Sequence, residues 1–315
     1  MICIWLATAC AYAEVSSTNQ HAKFSVSVVL SNDNEEYNTV FDALDKRLDS
    51  AAGSINISRY LSADYPADQK QSSVTPPDLI ITIGTAAARR VAETGNDIPV
   101  VCSFLPGANF DAIWNNSDRA VSGIVLDQPF ERYLGLLNIL MEKGDKVGLF
   151  SAHSDVSHEK IIPLLQRSGL LPVVETTTGS VTAKNITHLL EASDIILLLP
   201  DPSILSAQRA KWLLYMAYRE KKPVIAFAPS YVQAGALAAL YSRPESIGQQ
   251  TAELVMALAW SSEPVADAVI SLGRSHSPET FVVDTNSKVA GIIGFNIPEA
   301  EQLKNKIIKD LGAGK

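Results

Sequence analysis

The amino-acid sequence predicts an α/β protein built as two doubly wound parallel-sheet lobes. Three observations predict it. Short apolar runs alternate with amphipathic stretches almost without a break. Several runs, such as Ile195-Ile196-Leu197-Leu198-Leu199, are apolar at every position, as strands covered by helices on both faces must be. The 315 residues are too many for one average domain and suit two.

Read in order, strands are expected at Phe24–Leu30, Ile55–Tyr60, Leu79–Ile83, Pro99–Phe104, Val121–Leu126, Lys146–Phe150, Leu171–Glu175, Ile195–Leu199, Pro223–Phe227, Ala236–Tyr241 and Thr280–Asp284. Each is a short run rich in apolar and β-branched residues. Helices are expected between them at Glu35–Asp49, Ala86–Glu93, Phe130–Lys143, Asp155–Ser168, Val181–Ala192, Ser203–Lys221 and Pro244–Ser261. A first βαβ series ends near Leu126 and a second opens at Lys146. No long Gly/Ser segment separates them, so a hinge joins the lobes rather than a flexible tether.

Composition narrows the function classes. Apolar residues make up 47% of the chain, enough for well-built cores, and charged residues 19%, too few for a disordered or coiled-coil protein. The net charge of -8 argues against a nucleic-acid partner. No G-x-G-x-x-G follows the first strand, and no Walker A, G-x-S-x-G or H-E-x-x-H motif occurs. The five histidines include His153 and His158, whose five-residue spacing does not share a helical face, so no metal site is expected. No cofactor is expected either, and no nucleophile–base constellation points to an enzyme.

Met1–Ala13 reads as an export signal without its basic start, with Ala11-Tyr12-Ala13 as cleavage site and Glu14 opening the mature chain. A short apolar strand is the alternative, and a lipid anchor at Cys10 is a less favoured variant. Of the three cysteines only Cys102 lies in the mature part, which allows no internal disulfide. Past the signal no stretch has the 18 or so apolar residues of a membrane span.

One junction carries chemistry on its own. Leu79–Ile83 closes in Gly84-Thr85 and passes directly into Ala86-Ala87-Ala88. In open α/β sheets ligands bind at the carboxyl ends of strands, and the amides of Thr85, Ala86 and Ala87 at a helix start suit a carboxylate or other anion.

Taken together, Pro77–Ala87, Asp97–Val101, Val121–Ile124 with Asp127, Lys146–Phe150, Leu199-Pro200-Asp201, Lys222–Ala226, Gly235–Ala238 and Asn286 through Gly294–Pro298 resemble the solute-binding proteins of ABC transporters, in the family that includes aromatic-amino-acid binders. The resemblance implies a type I periplasmic-binding-protein fold whose two lobes are joined by a three-crossover hinge. Lobe one is then expected over 23–126 plus 236–264, lobe two over 127–230 plus 277–298, with 299–315 a C-terminal helix or tail. A small-molecule solute sits between the lobes.

The same resemblance nominates the cleft residues. Ser31, Gly84, Thr85, Ala86, Ala87, Ser103 and Phe104 come from lobe one, where Pro106-Gly107 makes a loop. Tyr37 either walls the cleft or faces the core. Asp127 either holds a ligand amino group or caps the helix near Pro129. Asp201 faces the cleft or caps the next helix, a cap that Ser203 supplies equally well. Ser230 and Tyr231 add a hydroxyl and a stacking face. Amino-acid binders often carry acids in that loop, and Ala228–Tyr231 has none; the usual His-Pro after the first strand is Asn32-Asp33-Asn34-Glu35.

The implied function is an exported, periplasmic or otherwise extracytoplasmic, solute-binding protein of an ABC importer. It would take a small polar or aromatic solute, amino-acid-like or not, and dock as a monomer on permease subunits. The alternative is a ligand sensor of the same fold acting on a membrane receptor. A DNA-binding regulator would need an N-terminal helix-turn-helix for which Met1–Lys23 is too short.

Overall fold

The computed structural model describes residues 24–50, 55–66, 76–152, 157–177, 179–200 and 206–313. The chain opens with β1 (Phe24–Leu30), α1 (Glu35–Asp49), β2 (Ile55–Leu61), β3 (Leu79–Ile83), α2 (Thr85–Ala92), β4 (Val100–Leu105), α3 (Gly107–Trp114) and β5 (Val121–Val125). It continues through α4 (Phe130–Leu140), β6 (Lys146–Ala152), α5 (Ser157–Arg167), β7 (Leu171–Thr177), α6 (Ala183–Ala192), β8 (Ile195–Leu197), α7 (Ala207–Arg219), β9 (Val224–Ala226), α8 (Pro229–Gln233) and β10 (Ala238–Tyr241). The last elements are α9 (Pro244–Ala259), α10 (Val265–Ser271), β11 (Val282–Thr285), α11 (Ser287–Ile293) and α12 (Ala300–Ala313).

The strands form two sheets, one in the order β2-β1-β3-β4-β5 and one in the order β11-β10-β9-β8-β6-β7. Every described pairing is parallel except that of β11 on β10. β3 and β8 are buried at every position, because helices cover both sheet faces. All the expected strands are present, with ends displaced by two residues at most.

Two expectations are corrected. Residues 236–241 belong to the second sheet, not to lobe one. β10 pairs with β9 through Ala238↔Ile225 and Ala239↔Ala226, and Leu240 packs with Tyr133, Leu149 and Leu197. The chain therefore returns to lobe one only at Ser242–Arg243, where α9 starts. Lobe one also extends past residue 264, since Ala268 and Val269 of α10 lie in its core beside Val255 and Met256. Of the two forms expected for the C-terminal segment, helix or tail, α12 is the helix, with Leu303 and Ile307 fully buried against the Tyr133–Leu136 cluster of lobe two.

Close helix packing explains why α9 leaves its neighbouring strand for the other lobe. Gly248 lies so near α1 that a Cβ there would stand 2.3 Å from the Val40 carbonyl oxygen. A bare backbone at this point lets Val40, Leu44, Val255 and Met256 close into one core.

Cys102, in β4, is fully buried, and burial pushes its thiol up to about 11. Thiolates react and thiols do not, so the native fold should shield it. In a Cys3→Ser, Cys10→Ser chain, a colorimetric thiol reagent at pH 8 is expected to modify Cys102 about a thousandfold or more slowly than in the unfolded protein. Equal rates would contradict this packing.

Candidate functional site

The parallel strands of both sheets run their carboxyl ends toward the three segments that cross between the lobes, after β5, after β10 and after α10. On the lobe-one edge, Ser31, Tyr37, Gly84 and Phe104 pack as one group. Gly84 has φ +86, and a Cβ added to it would lie 2.6 Å from Ser31 Oγ and 2.7 Å from Tyr37 Cε1. Only glycine adopts this backbone cheaply and leaves that space. Ser31 Oγ accepts the Ala87 amide at 3.0 Å and is bonded to the Tyr37 side chain. Burial, set against that hydrogen bond, pushes the Tyr37 hydroxyl above its usual range. Tyr37 thus has both of its expected neighbourhoods: it edges the lobe-one core and meets Phe104 edge-to-face, ring centroids 6.0 Å apart at 89°.

Phe104 itself sits at φ +57, rare for an aromatic residue, where the β4–β5 register shifts between Ser103 and Leu105. Such strain persists where surrounding structure holds it, and it concentrates at binding sites. The break re-aims the strand's alternation, and Ser103 is the casualty. Its hydroxyl is fully buried and shares a 2.8 Å hydrogen bond with Thr251 of α9. The expectation that Ser103 faces the cleft is therefore corrected.

The α2 N-terminus differs from expectation in one respect. Of the amides proposed for an anion, that of Ala87 is already taken by Ser31. Ala86 is exposed, and Thr85 is half-buried with its Oγ1 accepting from Asn109 Nδ2 at 3.0 Å. Asn109 is a site neighbour that sequence reading missed, because Pro106-Gly107 opens α3 rather than a loop. Asp127 Oδ2 accepts the Gly107 amide at 2.6 Å and so caps α3 from a distance. The helix near Pro129 starts without a side-chain cap, so Asp127 does not cap it.

On the lobe-two edge, Ala228–Tyr231 is the start of α8, with proline in its first turn. Ser230 is exposed. Tyr231 is half-buried against Phe227 at 4.8 Å between centroids, and burial raises its hydroxyl pKa. Asp201 and Ser203 lie outside the described residues. A pair missed from sequence stands at the end of β10: Tyr241 donates to Asp284 Oδ2 at 2.8 Å. Burial, then this carboxylate, pushes the Tyr241 hydroxyl up to about 12. None of the edge residues named here is a lysine or arginine. Hydroxyls, amides, carboxylates and aromatic rings dominate, a set that can hydrogen-bond to and stack on a small molecule.

The crossovers are tied to one another. Gln128 Nε2 donates to Ser242 Oγ at 2.8 Å, and Ser242 Oγ donates to the Thr280 carbonyl. Arg132 reaches the Gln128 Oε1, Pro278 and Glu279 oxygens at 2.7, 2.8 and 2.7 Å, with its guanidinium 4.8 Å above the Phe281 ring. His276 bridges Gly123 and Val125 through its backbone. One polar cluster thus holds all three segments at the point where the lobes turn on each other.

Comparison with known proteins follows this geometry. The family model described as ABC transporter substrate binding protein matches residues 63–299. No curated protein matches the chain. Among solved structures, the ABC domain in complex with L-Trp from Streptococcus pneumonia is similar at 17% identity and TM-score 0.62, covering 89% of this chain and 97% of that one. The ligand-free, open structure of CD0873, a substrate-binding protein with adhesive properties from Clostridium difficile, is similar at 18% identity and TM-score 0.62, covering 88% and 97%. A conserved domain protein from Vibrio cholerae is similar at 20% identity and TM-score 0.60, covering 90% and 98%. At these identities the structures show a shared fold: two lobes of the type I periplasmic binding proteins.

Proposed function

The chain belongs to the ABC transporter substrate-binding protein family, and from that premise we propose that it captures a small polar or aromatic solute between its lobes outside the cytoplasm and presents it to permease subunits. The single observation that carries the cleft assignment is the Ser31–Tyr37–Gly84–Phe104 cluster. A strained aromatic, an edge-on tyrosine and a glycine with no room for a side chain meet at a strand edge facing the crossovers. Phe104 is packed only partly against the lobe-one core, and a ligand surface gains a fixed ring face from it.

Thr85 and the Ala86 amide are the proposed anion contacts, Phe104 and Tyr231 the proposed stacking faces, and Ser31, Gly84, Ala87 and Asp127 the frame that holds them. Ser230, Asp201 and Ser203 are proposed to close the site from lobe two. The L-Trp complex among the fold relatives makes aromatic amino acids the first compounds to try. The export signal read in Met1–Ala13 supports an extracytoplasmic setting.

A thermal-shift panel of amino acids, aromatic acids, nucleosides, sugars and nucleobases tests this. A ligand at about a hundredfold its Kd adds about 2.7 kcal/mol of stability, which raises the midpoint by several degrees. Thr85→Val is expected to weaken the hit about tenfold, through loss of one hydroxyl contact worth about 1 kcal/mol or slightly more. No shift across the panel, with the protein folded and free of co-purified solute, would count against the proposal.

A further inference from the structure

Helix α7 (Ala207–Arg219) carries a basic and aromatic outer surface. Its inward side, Ala210, Leu213, Leu214 and Ala217, is buried in lobe two. Its outward side carries two exposed tyrosines, Tyr215 at 57% and Tyr218 at 41% exposure. Between 207 and 222 lie five cations, Arg209, Lys211, Arg219, Lys221 and Lys222, against the single carboxylate Glu220. The whole chain is at -8, so the remainder is more acidic still. Lys211, Tyr215 and Tyr218 follow one another at helical spacings of four and three, on one face. Arg219 lies with its guanidinium 6.0 Å from the Tyr215 ring. Lys222 is committed to the Ser193 carbonyl and Arg209 is half-buried on another side of the helix, which leaves the exposed Lys211, Arg219 and Lys221 to act outward.

We propose that this α7 face docks the protein on an anionic lipid surface. A basic patch on an otherwise acidic protein is attracted by a negative bilayer while the acidic remainder is repelled, which orients the molecule as it approaches. Tyrosine rings favour the headgroup level, and long cationic side chains lie along it with their stems against apolar surface. No helix among the described residues is long and apolar enough to cross a membrane, so the contact is peripheral. Each basic side chain near such a surface strengthens binding about fivefold, so three give about two orders of magnitude over a neutral bilayer. For a protein that serves a permease, such weak retention keeps it near the membrane without fixing it there.

The test is vesicle flotation of the full chain at low salt, with equimolar phosphatidylglycerol and phosphatidylcholine against phosphatidylcholine alone. Met1–Ala13 is identical in wild type and variants, so what the charge reversals remove from the excess on the anionic vesicles belongs to α7. Wild type is expected to show that excess and to lose it near 0.5 M salt, where screening is short-ranged. Lys211→Glu with Arg219→Glu is expected to reduce it at least tenfold, and Tyr215→Ser with Tyr218→Ser several-fold, each with an unchanged melting midpoint because these side chains are exposed. No excess in wild type, or an excess that the charge reversals leave intact, overturns the proposal. So does α7-dependent capture on polyglutamate beads without vesicle binding, which assigns the face to an acidic polypeptide instead. Solute binding is read separately, so failure here leaves the cleft assignment standing.

Discussion

Replacing Gly84 with valine is expected to cost lobe one about 2–6 kcal/mol and to abolish solute binding. The backbone there has φ +86, a region that side-chain-bearing residues enter only under strain of about 1–3 kcal/mol. The new Cβ would overlap Ser31 Oγ and Tyr37 Cε1 at 2.6 and 2.7 Å, and overpacking of that kind adds about 1–3 kcal/mol. The two contributions separate experimentally. Gly84→Ala in a Tyr37→Ala background removes the tyrosine contact and keeps the backbone strain, so it should recover part of the stability relative to Gly84→Ala set on wild type, each measured against its own parent. Denaturant unfolding measures both. A Gly84→Val protein with an unchanged midpoint and intact binding would show that the cluster does not frame the site.

Arg132→Ala is expected to lower solute affinity without touching the solute. Its guanidinium makes three hydrogen bonds, to Gln128 and to the Pro278 and Glu279 carbonyls, and stacks on Phe281. Half-burial lowers its pKa while leaving it charged at neutral pH. Bonds from charged donors contribute about 1.5–3 kcal/mol each in protected sites. Partial exposure reduces this, and a total loss of about 2–4 kcal/mol is expected. Without Arg132 the third crossover loses its direct side-chain tie to Gln128 and keeps the His276 backbone bonds and the Gln128–Ser242–Thr280 chain, so the joint loosens and the lobes sample more orientations. Less of the population is then competent to close, and the apparent Kd rises in proportion. Arg132→Lys should recover little, because an ammonium cannot span three acceptors as a planar fork does. Titration calorimetry with the panel's hit measures the effect. Unchanged affinity and unchanged stability would mean that the cluster is decoration on a hinge set elsewhere.

The strands were legible because a strand covered on both faces is apolar at every position, as in Leu79–Ile83 and Ile195–Leu197. Their assignment to sheets was not always so. Ala238–Tyr241 reads the same whichever sheet it joins, and only its pairing with Ile225 and Ala226 decides. The short helices α3, α8, α10 and α11 span five to eight residues, too few for periodicity to show. In the site, the Gly84-Thr85 turn was visible as punctuation between an apolar run and a helix. Ser103 was misplaced because a position near the end of a strand does not reveal that its hydroxyl meets Thr251, 148 residues further on in α9. The Tyr241–Asp284 bond depends on the antiparallel register of β10 with β11, in which Ala239 faces Asp284. Nothing local in either segment announces that register.

The central claim is that a solute binds between the lobes and closes them. Small-angle X-ray scattering of the protein, alone and saturated with the compound that raises its midpoint, tests this most directly. Closure predicts a smaller radius of gyration and maximum dimension in the complex, with the change reduced in Arg132→Ala. A superimposable pair of profiles, with saturation confirmed by calorimetry on the same sample, would contradict it.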